Sequence, residues 1–490
     1  MTTSALVHRA RVDTIPLHER KEWRDDVVQG LRTGERIVTL YARRQLDGVL
    51  ITAALQAGDR SLRVTRTLVA SEEGYHALTS EFPSVHCFER EMHEQTQIRI
   101  AGHPWLKPIR FEGQDQSAMN EYPFHKIEGK EVHEVAVGPI HAGVIEPGSF
   151  RFMCLGEQVH HLEIHLGYQH RGVEHRLLEG DPLTLAPLVE TIAGDTSIAH
   201  AWAYCASIEA LSGCDVHVEV DVARAVALEL ERVAMHLATL SGLSADIAFL
   251  QGATTYGRLR TTAINTTMRL SGSRFGRGAL RPGRIGMRMP PEVLTEVLAG
   301  IDLLRRDLPI INDCFLASHT VRHRLRAVGV LTLAQATELG VVGLSARASG
   351  VVLDARDQAT EGAYDVLPIT PRVLQEGDCW ARARVRIAEI DASLAWLSTI
   401  LGMYPRFSRP AEALKPLAPS HLVLAMVEGF RGEVVHCLET DEAGRLLHYK
   451  VQDPSLRNWM GVAIAVRKNE ISDFPICNKS FDLSYCGSDL

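Results

Sequence analysis

"ETIAGDTSIAHAWAYCASIEALSG", residues 190–213, is the stretch on which the reading of the whole chain turns. A polar turn runs into a helix: Asp195 or Thr196 stands at the N-cap, Ile198, Ala201, Trp202, Cys205 and Ile208 recur at helical spacing, and Gly213 ends the run. A turn of this kind would hold a soft metal if it carried C-x-x-C, because two thiolates would converge and the helix dipole would favour their charge. Here the two positions are Ala193 and Thr196. Alanine has no donor atom, and a protonated hydroxyl has little affinity for nickel or low-spin iron.

Around that stretch the composition sets bounds. With 490 residues the chain is too long for one ordinary core, so two or three domains are expected. Apolar residues make up 46% and charged residues 23%, the balance of a folded protein. A formal charge of −8 with no polybasic tract argues against a nucleic-acid partner. The most apolar long segment, 223–250, is interrupted by Arg224, Glu229, Glu231, Arg232 and His236, which excludes it as a membrane span. The first residues contain no apolar signal core, so the expected location is the cytoplasm. Nine cysteines without a C-x-x-C read as scattered reduced thiols, with Cys477 and Cys486 the one pair to watch.

The predicted class is α+β, in two parts. Residues 1–125 form a small α/β module with its linker: "WRDDVVQGLRTG" reads as a helix, "RIVTLYAR", "GVLITAAL" and "SLRVTRTLV" as strands, and "SEEGYHALTSEFP" as a further helix. A stretch of little periodicity, 114–131, links it to the second part, 126–490. There, alternating runs at 149–155 and 159–166 flank "GEQ" as a β-hairpin. Helical patterns dominate from 183 to about 405, and a second hairpin around "DEAG" starts a small C-terminal β subdomain. Within the helical part, 222–240 reads as bundle packing, with Glu231, Arg232 and His236 expected to satisfy one another.

Two lures fall to simple geometry. His161 and His165 could share a metal on a helix, but Leu162, Ile164 and Leu166 alternate with them, and in a strand residues four apart lie about 13 Å from each other. The six arginines between 269 and 288 suggest a phosphate site, yet no P-loop or dinucleotide fingerprint accompanies them.

Several ordered motifs, "GPIHAGVIEPGSFRF", "LGYQHRGVEHR", "ETIAGDTSIAHAWAYCASIEAL" and "ELERVAMHLATLSGL", resemble the large subunit of group 4, energy-converting NiFe hydrogenases, a relative of which lines the quinone cavity of complex I. The N-terminal module, with "REMHEQTQIRIAGHPWLKPIRF", resembles the small complex I subunit often fused ahead of it. The resemblance implies a mainly helical-bundle domain in 126–490. In active hydrogenases the first metal motif is Glu-Arg-x-Cys-Gly-x-Cys; here Glu190 is followed by Ala193 and Thr196 where the cysteines belong. The second, Asp-Pro-Cys-x-x-Cys-Thr, best matches 482–488, placing Ser484 and Gly487 at the ligand positions and Cys486 one residue out of register. A register with Cys477 restores one ligand and puts Ser480 at the other. The chain is also expected to lack the processed tail of many hydrogenases.

The resemblance therefore implies a cytoplasmic-arm subunit of a membrane-bound, complex I-like oxidoreductase without NiFe chemistry and with no cofactor bound by this chain. A 4Fe–4S cluster would sit in a partner iron–sulfur small subunit facing the arginine-rich stretch. Antiporter-like and other membrane subunits would hold the protein peripherally on the inner face of the cell membrane. Glu146 and Glu174 match acids that would move protons, the alternative being structural ion pairs with Arg151 or Arg171. His141 and His170 stand in the same loops, and Tyr204 matches the quinone-binding tyrosine of complex I, although the hairpin histidine of complex I has no counterpart. Two further readings stay open: quinone reduction in the vacated cavity, as in an NADH-quinone oxidoreductase, and a purely structural or coupling role.

Overall fold

A computed structural model describes residues 3–70, 72–113, 116–143, 145–408 and 411–490; linker positions 114 and 115 lie outside them. In the N-terminal module three antiparallel strands, Arg36–Gln45, Gly48–Gln56 and Leu62–Val69, form a sheet that the short strand Leu17–His18 joins in parallel. Every residue of the central strand is buried, as its unbroken apolar run requires. Helices Arg20–Arg32 and His86–Thr96 cover this sheet, the first through Trp23, Val27 and Val28.

The expected helix at "SEEGYHALTSEFP" does not form over 72–82, and Ser71 lies outside the described residues. Gly74 takes φ +67°, Tyr75–His76 is a strand, and helical structure starts only at Pro83. Glu89 explains the difference: its carboxylate accepts from Leu78 N (2.8 Å), Thr79 N (3.1 Å) and Tyr75 Oη (2.7 Å), so side-chain bonds take the backbone donors a helix would have used.

The first hairpin forms as read, Ser149–Leu155 against Gln158–His165, with Val132–Val137 as third strand. His161 and His165 both lie on that strand. The body is a bundle of long helices, Val218–Asp246, Leu250–Ser271, Pro291–Ala317 and Cys379–Met403, sharing one extended apolar core. No helix among the described residues is long and apolar enough to cross a membrane.

The C-terminal strands His421–Glu428, Glu433–Thr440 and Leu446–Gln452 form the second predicted hairpin and one strand more, and Leu6–Arg11 from the start of the chain adds to their edge. This sheet packs on the N-terminal one through Val38, Tyr41, Leu424, Met426 and Val435. Arg36 bridges to Glu433 at 2.6 Å, and the Tyr41 hydroxyl donates to Glu439 at 2.6 Å.

Glu231, Arg232 and His236 do not satisfy one another. Arg232 donates to the carbonyls of Gly429 and Glu428 and lies 3.3 Å from Glu229, while His236 meets Glu389 at 2.9 Å. Glu231 turns to the start of helix Ser197–Ser212 while Arg232 and His236 both reach Glu389, at 3.7 and 2.9 Å, partners that a reading along a single helix face does not capture.

Candidate functional site

Helix Ser197–Ser212 is buried along its whole length. Neither Asp195 nor Thr196 caps it by a side chain. Instead Glu231, from the neighbouring long helix, accepts from Ile198 N (2.8 Å) and Ala199 N (3.4 Å), a carboxylate set against the helix N-terminus from outside. Burial pushes the Glu231 carboxyl up to about 8, helped by the charge of Asp195 and opposed by the two amides. Gly213 closes the helix in the left-handed conformation, φ +61°.

The second turn of interest, 482–487, lies beside the first. Asp482 takes φ +57°, Ser484 caps the last short helix by accepting from Gly487 N at 2.9 Å, and the Cys486 sulfur lies 3.4 Å from the Ser484 hydroxyl. A Cβ at Gly487 would come within 2.7 Å of the Asp453 carboxylate, so a larger residue there requires that side chain to move.

Two arginines tie the turns together. Arg431 donates to both carboxylate oxygens of Asp195 (2.7 and 2.6 Å), to the Thr196 hydroxyl (3.0 Å) and, through Nε, to the carbonyl of Asp482. Such a forked, charge-assisted set fixes geometry as well as energy. From the other side Arg171 donates to the carbonyls of Thr191 (2.8 Å), Ile192 (3.0 Å) and Cys486 (3.3 Å). Glu190 is held by Gly278 N and Arg281, both at 2.9 Å, so part of the arginine-rich stretch folds inward onto the first turn.

The predicted acids separate. Glu146 is half-buried at the cradle, accepting from Tyr485 N at 3.2 Å. Burial and the Glu146 charge push the Cys486 thiol up to about 11. Glu174 belongs to a different cluster: it accepts from Val451 N (2.9 Å), Lys450 Nζ (3.0 Å) and Gln95 (3.2 Å), and Lys450 also meets Glu91 at 2.6 Å. The alternative ion pairs do not form, since Arg151 pairs with Glu134 and Arg171 is spent on carbonyls. His141 bonds the Gly148 carbonyl through Nε2 at 2.8 Å, and His170 bonds the Asp489 carbonyl through Nδ1 at 2.8 Å. Tyr204 is fully buried, donating to the Pro182 carbonyl at 2.6 Å and accepting from Leu185 N at 3.2 Å.

One constellation escaped the sequence reading. Asp453, beside Gly487, meets His200 Nε2 at 3.1 Å; His200 Nδ1 meets His436 Nε2 at 3.1 Å; His436 Nδ1 meets the Tyr449 hydroxyl at 2.8 Å. All four are buried, so a continuous line of proton-carrying groups leaves the cradle through the sheet. The available signal was His200 itself, a titratable residue in a fully buried helix.

The family described as respiratory-chain NADH dehydrogenase, 49 Kd subunit, matches residues 246–421. The carbon monoxide-induced hydrogenase of Rhodospirillum rubrum is 27% identical over 354 residues, 71% of this chain and 97% of its own length. Formate hydrogenlyase subunit 5 of Escherichia coli is 26% identical over 475 residues, 91% of this chain and 83% of its own, and so reaches into the N-terminal module. Among solved structures, a chain of the membrane-bound sulfane sulfur reductase, an archaeal respiratory membrane complex, superposes with a TM-score of 0.69 at 23% identity, covering 74% of this chain and 99% of its own, a likeness of fold.

Proposed function

As a member of the family that unites the complex I 49 kDa subunit with hydrogenase large subunits, this chain is, we propose, a peripheral subunit of a membrane-bound, complex I-like redox complex that works without a NiFe centre. It would couple electron transfer from a neighbouring iron–sulfur subunit to ion movement by membrane partners. The observation that carries this reading is the donor set of the cradle. The four ligand positions offer a methyl group, two hydroxyls and a glycine, Ala193, Thr196, Ser484 and Gly487. A guanidinium occupies the ground between the turns, bonded to Asp195, Thr196 and Asp482. Soft metals need thiolates, and a fixed cation repels a metal cation, so the residues present do not fit a NiFe centre.

What remains chemically able is proton handling. Glu146 at the mouth and the line Asp453, His200, His436, Tyr449 behind it can pass protons between the cradle and the C-terminal sheet. Glu174, paired with Lys450, fits a structural or relay role at the module interface. The quinone reading gains nothing from Tyr204, whose hydroxyl is already engaged by backbone.

Affinity purification of the tagged chain from detergent-solubilised membranes tests the proposal. The expected result is stoichiometric co-purification of an iron–sulfur small subunit and antiporter-like proteins, with no hydrogen uptake or evolution and nickel far below one per chain. A solitary protein, or a nickel-bearing complex that turns over hydrogen, would overturn it. In the assembled complex Glu146→Gln should slow turnover; unchanged activity would leave the subunit a purely structural one.

A further inference from the structure

Cys477, expected to be watched together with Cys486, lies instead against Cys379. Both are fully buried and free. Their sulfurs converge on one spot: a Cβ built on Gly329 would sit 2.6 Å from the Cys477 sulfur and 3.3 Å from that of Cys379. Gly329 has φ +61°, so both its backbone and its missing side chain serve the pair.

The charge environment is as specific as the geometry. Cys379 is the first residue of helix Cys379–Met403, where the backbone dipole favours negative charge. Arg382, one turn on, is 0% exposed and spends its donors on Ser480 Oγ (2.7 Å), the carbonyls of Gly377 (2.7 Å) and Gly329 (2.8 Å), and the Cys379 sulfur (3.4 Å). These are all neutral acceptors except that sulfur. The neighbouring Asp378 carboxylate is committed to Ala381 N and Ala327 N. A buried guanidinium without a carboxylate is costly, and a Cys379 thiolate supplies the missing counter-charge. Burial opposes that thiolate, but the adjoining Cys477 thiol and the Arg382 charge outweigh it and bring the Cys379 thiol down to about 6. Cys87 shows the contrary case, a buried thiol pushed up to about 11.

We propose that Cys379 and Cys477 are a redox-active dithiol that a small peroxide closes to a disulfide. The Cys379 thiolate attacks one peroxide oxygen; the S–O bond forms, the O–O bond breaks, and the leaving hydroxide takes a proton to become water. Cys379 is then a sulfenic acid. Cys477 gives up its proton and attacks the Cys379 sulfur, the S–S bond forms, the S–O bond breaks, and a second water leaves. Two thiols lose two electrons, and hydrogen peroxide accepts them. The joint so locked lies between helix Cys379–Met403 and helix Phe474–Phe481, whose chain continues directly into the 482–487 turn of the cradle.

The full-length chain, reduced, desalted and exposed to stoichiometric hydrogen peroxide in its native state, is then alkylated and mapped by peptide mass spectrometry. The expected product is an intramolecular Cys379–Cys477 cross-link, reversed by dithiothreitol, formed at least roughly ten-fold faster than any oxidation of Cys205 or Cys437. Cys477→Ser should trap a sulfenic acid on Cys379, detected with dimedone, whereas Cys379→Ser should leave Cys477 reduced. The inference is overturned if the wild-type chain keeps both thiols while Cys314 or Cys486 is oxidised, or if Cys477 pairs elsewhere. The wild-type measurement decides the matter even where a variant folds poorly.

Discussion

The cradle and the ionic core beside it are both built from buried charge, yet they use it in opposite ways. Between the long helix, helix Cys379–Met403 and the strand ending at Glu428, Arg232, Arg347 and Arg356 interlock with Glu229, Asp354, Glu389 and Glu428, all at most 4% exposed. Arg347 alone meets Glu389 at 2.8 Å, Glu428 at 2.7 Å and Asp354 at 3.4 Å. In the cradle, by contrast, one cation faces one carboxylate and spends its remaining donors on a hydroxyl and a carbonyl. The core is a closed network in which every charge answers several others. The cradle is two turns clamped by the hydrogen bonds of Arg431 on one side and Arg171 on the other. Charge in the first place holds the helices in register; in the second it preserves the shape of a site.

The strongest test of that contrast is Arg347→Leu. Three carboxylates then remain buried without their shared cation, and breaking a buried pair from one side costs about 3–5 kcal/mol. Chemical denaturation should show a loss in that range. A loss near zero would mean that the network is redundant and that the contrast fails.

Arg431→Met should cost less, about 1.5–3 kcal/mol, the value of charge-assisted hydrogen bonds at a site where Asp195 retains some access to water. The side-chain exposure of Asp195 is 34%, against 5% for Arg431, and that difference is why the penalty is smaller than in the core. With the Arg431 bonds gone only Arg171 still bridges the two turns, so they should loosen and alkylation of Cys486 should accelerate. If Arg431→Met proves as damaging as Arg347→Leu, the cradle is part of the core and not a site kept in shape.

A third test uses pH. Glu231 stands between the two regions, its carboxyl raised from the ordinary 4.5 to about 8 by burial first and the Asp195 charge next. The folded protein therefore holds a proton that the unfolded chain releases. The stabilisation is full below pH 4.5 and is lost as pH rises through about 8, with a slope of up to about 1.4 kcal/mol per pH unit for the one proton. Glu231→Gln should flatten stability over that window while keeping an acceptor for Ile198 N. An unchanged pH profile in the variant would assign the proton to another group.

These tests rest on features of very unequal legibility in the sequence. Helix Ser197–Ser212 and both hairpins could be read because apolar spacing and turn residues act over a few positions. The helix misread at 71–83 failed for an equally local reason that spacing alone ignores: Gly74 in a positive-φ turn and backbone donors captured by Glu89. The residue types at the proposed cradle positions, Ala193, Thr196, Ser484 and Gly487, are read directly from the chain. The partners that surround them are not: Arg431 and Asp195 are 236 positions apart, as are His200 and His436, and Arg382 is 98 from Ser480. Nothing short-range in the chain marks such partners, and only the packing of the sheet on the helices brings them together. The same limit explains why Glu146 and Glu174, similar as loop acids in sequence, end in different clusters.

The smallest expected effect belongs to Tyr204→Phe. The hydroxyl makes two hydrogen bonds, one given to the Pro182 carbonyl and one taken from Leu185 N, and it lies in neither the ionic core nor the Arg431 clamp. Losing it should cost about 0.5–1.5 kcal/mol of stability, the net worth of an ordinary intramolecular bond, raised toward the upper end because Leu185 N is left without its acceptor. Turnover of the assembled complex should stay at the wild-type level, since the phenol is already committed to the backbone that it braces. A large drop in turnover with little loss of stability would instead show that the tyrosine exchanges its backbone partners for a substrate, and the cradle would then have to be redrawn to include the 182–185 loop as a moving wall.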